Sequence, residues 1–136
     1  MEYSLFIVQL ILASVLGSAA GWQRERVGKA AGMRTYALVC MGSMLFTVLS
    51  IYGFGRGGNI DPSRIAAQIL TGIGFIGAGS IIHTKTGGVE GLTTAAGLWA
   101  IAAIGMLVGV SWFLHAILAT AAIILVFYTN RKISGR

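Results

Sequence analysis

Charged residues along this chain fall in short clusters, and the stretches between the clusters carry no charge at all. The uncharged runs extend over residues 3–23, 35–55, 65–84 and 91–130. The first three runs are each about as long as a helix that crosses a hydrocarbon core of about 30 Å. The pattern therefore predicts transmembrane helices, with the charged clusters in the loops between them.

The fourth run is too long for one span. Its forty residues would form a helix of about 60 Å at a rise of about 1.5 Å per residue. We predict a reversal at Gly109–Ser111, beside Trp112, because glycine and serine favour a turn and tryptophan favours the membrane interface. The sequence therefore predicts an all-α integral membrane protein, a single domain of five transmembrane helices at about residues 3–23, 35–55, 62–83, 91–109 and 111–130.

The basic residues indicate the number of spans and their direction. With the amino terminus outside, five spans place eight basic residues on the cytoplasmic side and two outside, whereas four spans place five on each side. Because basic residues accumulate in cytoplasmic loops, we predict five spans, an outer amino terminus and a cytoplasmic carboxy terminus. The eight are Arg24, Arg26, Lys29, Arg34, Lys85, Arg131, Lys132 and Arg136, and the two are Arg56 and Arg64.

The composition agrees with a membrane protein and changes the meaning of the net charge. The chain is 56% hydrophobic and 10% charged, whereas about a quarter of the residues of a soluble domain are charged. The net charge of +6 is then explained by orientation and by contact with anionic lipid at the cytoplasmic face. No nucleic-acid partner is expected.

The start of the third span holds most of the polar candidates. Asp61 before Pro62 predicts a helix that begins at Pro62, because aspartate caps free amides and proline fits the first helical position. Arg64 is placed for a local ion pair with Asp61. Gln68 and Thr71 lie one turn apart, and we expect interhelical hydrogen bonds there in preference to a transport path. Asp61 is also a weak candidate for a metal ligand.

Small residues at four-residue spacing let membrane helices approach closely, and this chain has twenty glycines. The third span combines four glycines near its centre, so we predict that it is the central helix. The number of such faces also predicts self-association or binding to another membrane protein. The predicted packing positions are Ala13, Gly17 and Gly21, then Ala67, Thr71, Gly74 and Ala78 with Gly72, Gly77 and Gly79 beside them, and finally Gly105 and Gly109.

The chemistry-bearing residues do not form a recognisable active site. The GxGxxG pattern of Gly72, Gly74 and Gly77 lies in a span and lacks the strand-to-helix turn that dinucleotide binding needs. The segment 79–86 lacks the second glycine of a phosphate-binding loop. A single cysteine, two separated histidines and four scattered acids favour neither a metal cluster nor a magnesium site. We expect no enzyme, no cofactor and no resident metal.

Three segments carry a resemblance to a known family. They read GWQRERVGKAAGMRTYALV at 21–39, DPSRIAAQILTGIGFIGAG at 61–79 and GLTTAAGLWAIAAIG at 91–105. In these segments the chain resembles the MgtC/SapB family of bacterial membrane proteins, of which many members carry a further soluble carboxy-terminal domain. Gln23 and Tyr36 stand where family members often have an acid and a histidine.

The resemblance implies a function in the bacterial inner membrane. The family is linked to growth or survival when magnesium is scarce, to virulence in some pathogens and to restraint of the ATP synthase. We therefore expect a regulatory or accessory factor that acts through another membrane protein. The alternative is a small oligomeric channel or carrier for magnesium or another ion, with Asp61, Arg64 and Gln68 at its outer mouth.

The basic loop after the first span is the second group of candidates. It holds Arg24, Glu25 and, further along, Arg34 beside Thr35. Orientation and contact with anionic lipid explain such a cluster as well as docking of a partner does, and both interpretations remain open. The resemblance favours Arg34 as the functional residue of this group.

Overall fold

The computed structural model describes residues 2–54, 61–85 and 87–129, and most of them are helical. A short antiparallel pair of strands interrupts the helices, with Ile82 opposite Glu90 and His83 opposite Val89. The elements are α1 Tyr3–Arg26, α2 Met33–Tyr52, α3 Arg64–Gly79, β1 Ile82–His83, β2 Val89–Glu90, α4 Leu92–Gly109 and α5 Phe113–Thr129.

Three of the helices, α1, α2 and α4, are long and apolar enough to cross a membrane by length and composition. Helices α3 and α5 are apolar but shorter, with 16 and 17 residues. The count of five spans and the direction of the termini therefore stay predictions. Four of the basic residues that were used to count the spans lie outside the described residues, and so do the predicted span ends at 55 and 130. The four are Arg56, Arg131, Lys132 and Arg136.

The helix boundaries differ most from the predicted ones at α3. The helix begins at Arg64, two residues after Pro62, because the Asp61 carboxylate caps the preceding turn and not the helix itself. Asp61 Oδ1 accepts hydrogen bonds from the Ser63 amide at 2.9 Å and from the Ser63 hydroxyl at 2.7 Å. The helix ends at Gly79, so that residues 82–83 form β1 in place of the last predicted turn.

Helix α4 occupies the centre of the bundle and packs against each of the other four helices. Its buried side chains Leu98, Ile101, Ile104 and Val108 form much of the core. Helix α3 packs chiefly on α2 and α4 and buries only three of its residues. The prediction that the third span is the central helix is wrong, because its glycines permit a close approach without determining which helix makes one.

The closest helix contacts lie at glycines of α1 and α4. A Cβ atom added at Gly17 would lie 2.7 Å from the Ala37 Cα atom of α2, and one at Gly21 would lie 2.7 Å from Met33 Cα. A Cβ atom added at Gly105 or Gly109 of α4 would likewise be too close to Cys40 or Thr47 of α2. At these glycines the backbones of α1 and α4 come close to the backbone of α2, and the predicted packing residue Ala13 is buried in the core.

The glycines of α3 have a different environment. A Cβ atom added at Gly72, Gly74 or Gly79 would have no neighbouring atom within 4 Å among the described residues, and one at Gly77 would meet Ala95 Cβ at an ordinary 3.6 Å. Close packing at Gly72, Gly74 and Gly79, which the sequence predicted, therefore does not occur within the described part of the chain.

Candidate functional site

A buried arginine marks the most unusual polar site in the bundle. Arg24 is 6% exposed, although the sequence placed it in a loop. Its Nη2 atom donates a hydrogen bond to Thr94 Oγ1 at 3.0 Å, and its guanidinium carbon lies 4.9 Å from the centre of the Phe127 ring. Its Nε atom is buried and has no hydrogen-bond partner among the described residues.

The helical period explains why Arg24 is buried. Helix α1 continues to Arg26, so the packed face that runs through Ala13, Gly17 and Gly21 reaches Arg24 one turn later. The last turn of α1 meets the first turn of α4 and the last turn of α5 at this end of the bundle. Thr94 and Phe127 are supplied from those two turns.

Two further polar side chains close the site around Arg24. The Tyr36 hydroxyl donates to the Thr94 carbonyl oxygen at 3.4 Å, and Gln23 Nε2 donates to the Phe127 carbonyl oxygen at 3.2 Å. The Tyr36 and Phe127 rings meet edge to face, with their centres 6.2 Å apart. Gln23 and Tyr36, where the resemblance suggested an acid and a histidine in many family members, therefore both bond to the residues that contact Arg24.

A cavity of about 660 Å³ opens beside this arginine. The first turn of α4 forms one wall, and its cap residue Gly91 has φ 92° and no side chain that could cap the helix amides. A helix start carries partial positive charge on its free amides. Residues that line the cavity include Arg24, Lys29, Gly91, Thr93, Thr94 and Phe127.

The other candidates of the basic loop do not join this site. Glu25 Oε2 accepts a hydrogen bond from the Met33 amide at 2.8 Å and so caps the start of α2, where Gly32 has no side chain to do so. Arg34 is exposed and Thr35 is half-buried. Arg24 therefore points into the bundle, whereas Glu25 stabilises the start of α2.

The candidates around the start of α3 lie at the opposite ends of α2 and α4. Asp61, Arg64, Gln68 and Thr71 are all exposed. The hydrogen bond from the Ser63 hydroxyl, followed by the one from the Ser63 amide, lowers the pKa of the Asp61 carboxyl below its usual value. Among residues 2–54, 61–85 and 87–129, no three His, Cys, Asp or Glu side chains are placed to hold a metal ion.

Gln68 and Thr71 face different surroundings. Gln68 lines an apolar groove of about 520 Å³ between α2 and α3, together with Gly42, Ser43 and Gly72. Thr71 lies on the outer surface of α3. The two polar groups, one turn apart in sequence, therefore do not form one polar path within the described residues.

Sequence reasoning missed Thr94 and Phe127, which hold Arg24 in place. The signal that could have found Arg24 is the helical period of α1, because Arg24 lies three residues after Gly21 and so falls on the same packed face. No comparable signal exists for Thr94 and Phe127, since both lie in apolar runs without charge.

Comparison with known proteins identifies the family. The family model described as the MgtC family matches residues 10–136, which is most of the chain. The chain belongs to the MgtC family. Together with its apolar helices, this makes it a helical membrane protein.

Several MgtC-family relatives align with most of this chain. The "Putative magnesium transporter YhiD" of Escherichia coli strain K12 is 43% identical over 136 residues, which cover 96% of this chain and 63% of the relative. "Protein MgtC" of Brucella abortus strain 2308 is 45% identical over 114 residues, which cover 84% of this chain and 46% of the relative. A Synechocystis protein is 38% identical over 134 residues, 98% of this chain and 56% of its own.

The chain therefore spans between about half and two thirds of the length of these relatives. No solved structure matches it at a significant level.

Proposed function

We propose that this MgtC-family chain is a multi-pass protein of the bacterial inner membrane that acts as a regulatory or accessory factor in adaptation to low magnesium. It does so by binding another membrane protein, for which the family resemblance suggests the ATP synthase, or a second copy of itself. The family and the names of its relatives connect the chain to magnesium and to membranes, and they favour a non-enzymatic function.

The observation that carries this proposal is an uncovered ridge of small residues on α3. Ala67, Thr71, Gly74 and Ala78 are all exposed. At about 100° per residue, this ridge is turned roughly 130° away from Ile69, Ile73 and Gly77, which pack on the bundle. Such a ridge allows two helix backbones to approach closely within a membrane.

Lipid alone explains this ridge less well than a partner helix does. Helices associate in membranes by close packing because lipid tails are as apolar as leucine, and small residues are therefore enriched where helices meet. On α1 and α4 the same kind of ridge lies directly against the backbone of a neighbouring helix. On α3 the ridge has no such neighbour in the described chain, which supports a helix from a second molecule.

The first test is to fill the ridge without disturbing the fold. Gly74→Leu should reduce association through α3 by at least tenfold, because the added side chain keeps the partner backbone away. The thermal stability of the single chain should not change, since no described atom lies within 4 Å of a Cβ atom at this position. Association is measured in membranes through a photo-crosslinking phenylalanine analogue in place of Phe75, an exposed large side chain beside the ridge, and the crosslinked protein is identified by mass spectrometry.

The matched control is Gly72→Leu, which adds the same bulk on the groove side of the same helix, again with no atom within 4 Å. Crosslinking should survive in the control. Equal crosslinking in Gly74→Leu and in the unaltered chain would contradict the proposal. A crosslink to a second copy, or to a subunit of the ATP synthase, distinguishes the two partners.

Magnesium transport is the second candidate, and the name of the Escherichia coli relative favours it. In that case Asp61 and Arg64 would lie at the outer mouth, with Gln68 in the groove between α2 and α3. The carboxylate of Asp61 is exposed, and it already accepts two hydrogen bonds from Ser63. A magnesium ion usually keeps several waters and needs one or two carboxylates, so a single exposed aspartate could still help at such a mouth.

Magnesium flux into proteoliposomes separates the two candidates. The leading proposal predicts no flux above that of empty vesicles, measured with a trapped magnesium-sensitive dye. If flux appears, the Asp61→Asn variant shows whether it needs this charge. Asparagine keeps an oxygen that can accept both hydrogen bonds from Ser63, so the variant should fold normally. Flux that this variant abolishes would replace the leading proposal with a transporter.

A further inference from the structure

We propose that the cavity between α1, α4 and α5 is a binding site for a phosphate group. This inference is independent of the proposed function, because it concerns the opposite end of the bundle from Asp61 and does not involve the ridge on α3. It rests on a buried cation, a helix start without a side-chain cap, and an open cavity that joins them.

Arg24 is buried with incomplete hydrogen bonding. An arginine in a protein interior is stable when its charge and its N–H groups are paired. Arg24 is 6% exposed, and its contacts are neutral groups: the Thr94 and Tyr36 hydroxyls and the Phe127 ring. Its Nε–H group is buried without a partner among the described residues. Arg24 also lines the cavity, so its guanidinium presents an unneutralised positive charge on the cavity wall.

Neighbouring carboxylates do not neutralise the positive charge of Arg24. Glu25 follows Arg24 in sequence, but its Oε2 atom accepts the Met33 amide at the start of α2. Glu90 precedes the cap of α4 and is exposed in β2. Lys29 adds a second positive charge to the wall of the cavity. The net charge of the cavity wall is thus positive.

Helix α4 begins at the wall of the cavity. Its cap residue Gly91 makes no side-chain hydrogen bond to the helix, so the first amides remain free to bind another acceptor. Gly91, Leu92, Thr93 and Thr94 all line the cavity, which places this helix start on its wall. Free amides and the helix dipole at such a position favour an anion.

The chemistry of these groups fits a phosphate oxyanion. A phosphate offers several oxygen acceptors, arginine binds it through its planar fork of donors, and lysine adds a point charge. The Thr93 hydroxyl can donate a further hydrogen bond from the cavity wall. The phosphate could belong to an anionic lipid headgroup or to free inorganic phosphate, and both present the same oxyanion to the site.

Thermal unfolding of the purified full chain in a neutral maltoside detergent tests the inference. The probes are short-chain phosphatidylglycerol and inorganic phosphate, each titrated against chloride at equal ionic strength. We expect at least one probe to raise Tm saturably. Lys29→Gln should lower the binding affinity for that probe by about tenfold or more, which corresponds to about 1.4 kcal/mol of binding free energy. Lys29 is exposed, so this variant should fold normally.

Arg34→Gln is the matched control, because it removes one positive charge at an exposed position that does not line the cavity. It should leave the titration unchanged. Arg24→Met should abolish the rise in Tm if this variant folds. If Arg24→Met does not fold, the result with Lys29→Gln still decides the test. A response to phosphatidylglycerol alone assigns a lipid headgroup, and a response to both assigns free phosphate as a ligand. No saturable response, or equal weakening in Lys29→Gln and Arg34→Gln, overturns the site.

Discussion

Replacing Gly105 with alanine is expected to lower the free energy of unfolding by about 3 kcal/mol, the upper range for overpacking a well-packed core. A single added methyl group would collide with the backbone carbonyl oxygen of Cys40 on α2, and it would lie 2.8 Å from Ser43 Cβ. A backbone atom cannot rotate away as a side chain can, so α4 and α2 would have to separate. Because α4 packs against every other helix, the displacement would affect the whole bundle.

The control is Gly72→Ala, the same substitution in α3. No described atom lies within 4 Å of a Cβ atom at Gly72, and alanine is the better helix former by about 1 kcal/mol. This variant should therefore be as stable as the unaltered chain, or slightly more stable. Unfolding by a denaturing detergent in mixed micelles measures both. Equal midpoints for the two variants would show that the α2–α4 contact is looser than the structure indicates.

This pair of glycines also shows how much of the fold was predictable from the sequence. The four-residue spacing of small residues identified the close-packing positions at Gly17 and Gly21, and those at Gly105 and Gly109. The same signal was stronger in α3, yet Gly72, Gly74 and Gly79 have no close neighbour in the described chain. Spacing shows that a backbone can be approached, whereas the choice of neighbour depends on loop lengths and on the shapes of all the helices together.

The candidate site was less predictable than the fold. The charge clusters predicted the breaks between the first four helices, and the break between α4 and α5 came from the length of the fourth run. The same clusters suggested that Arg24 lies in a loop, since a charged residue next to a span usually orients the chain. The structure continues α1 through Arg26 and turns Arg24 into the bundle. Its contacts with Thr94 and Phe127 join residues that are 70 and more positions apart in sequence. Only the folded arrangement of α1, α4 and α5 brings them together.

Gln9 is a second buried polar residue whose importance is visible only in the structure. It is 1% exposed, and its Nε2 atom lies 3.1 Å from the Val108 carbonyl oxygen, 3.0 Å from that of Gly109 and 3.1 Å from Ser111 Oγ. Val108 and Gly109 end α4, and Ser111, with φ 64°, lies in the turn between α4 and α5. A left-handed conformation costs a residue other than glycine about 1–2 kcal/mol, so this turn needs external support. Gln9 supplies that support from α1.

Gln9→Leu is therefore expected to lower the free energy of unfolding by about 1–3 kcal/mol. Hydrogen bonds between membrane helices contribute about 0.6 kcal/mol on average, and a buried acceptor that loses its partner costs about 1–3 kcal/mol. Leucine has a similar size, so the loss should come from the carbonyl groups at the end of α4 and not from a cavity. Unfolding in mixed micelles gives the magnitude, and amide exchange at residues 110–112 should rise if the turn itself loosens.

Gln68→Leu is the matched control, because it makes the same substitution at an exposed position of α3. Leucine suits an apolar groove, so we expect no loss of stability there. A similar loss in both variants would mean that replacing glutamine harms the bundle for reasons unrelated to the α4–α5 turn. A loss confined to Gln9→Leu, with faster exchange at the turn, would show that one side chain of α1 holds the end of the central helix in place. The same helix would then anchor α4 at both ends, through Gln9 at this turn and through Arg24 on Thr94 at the other.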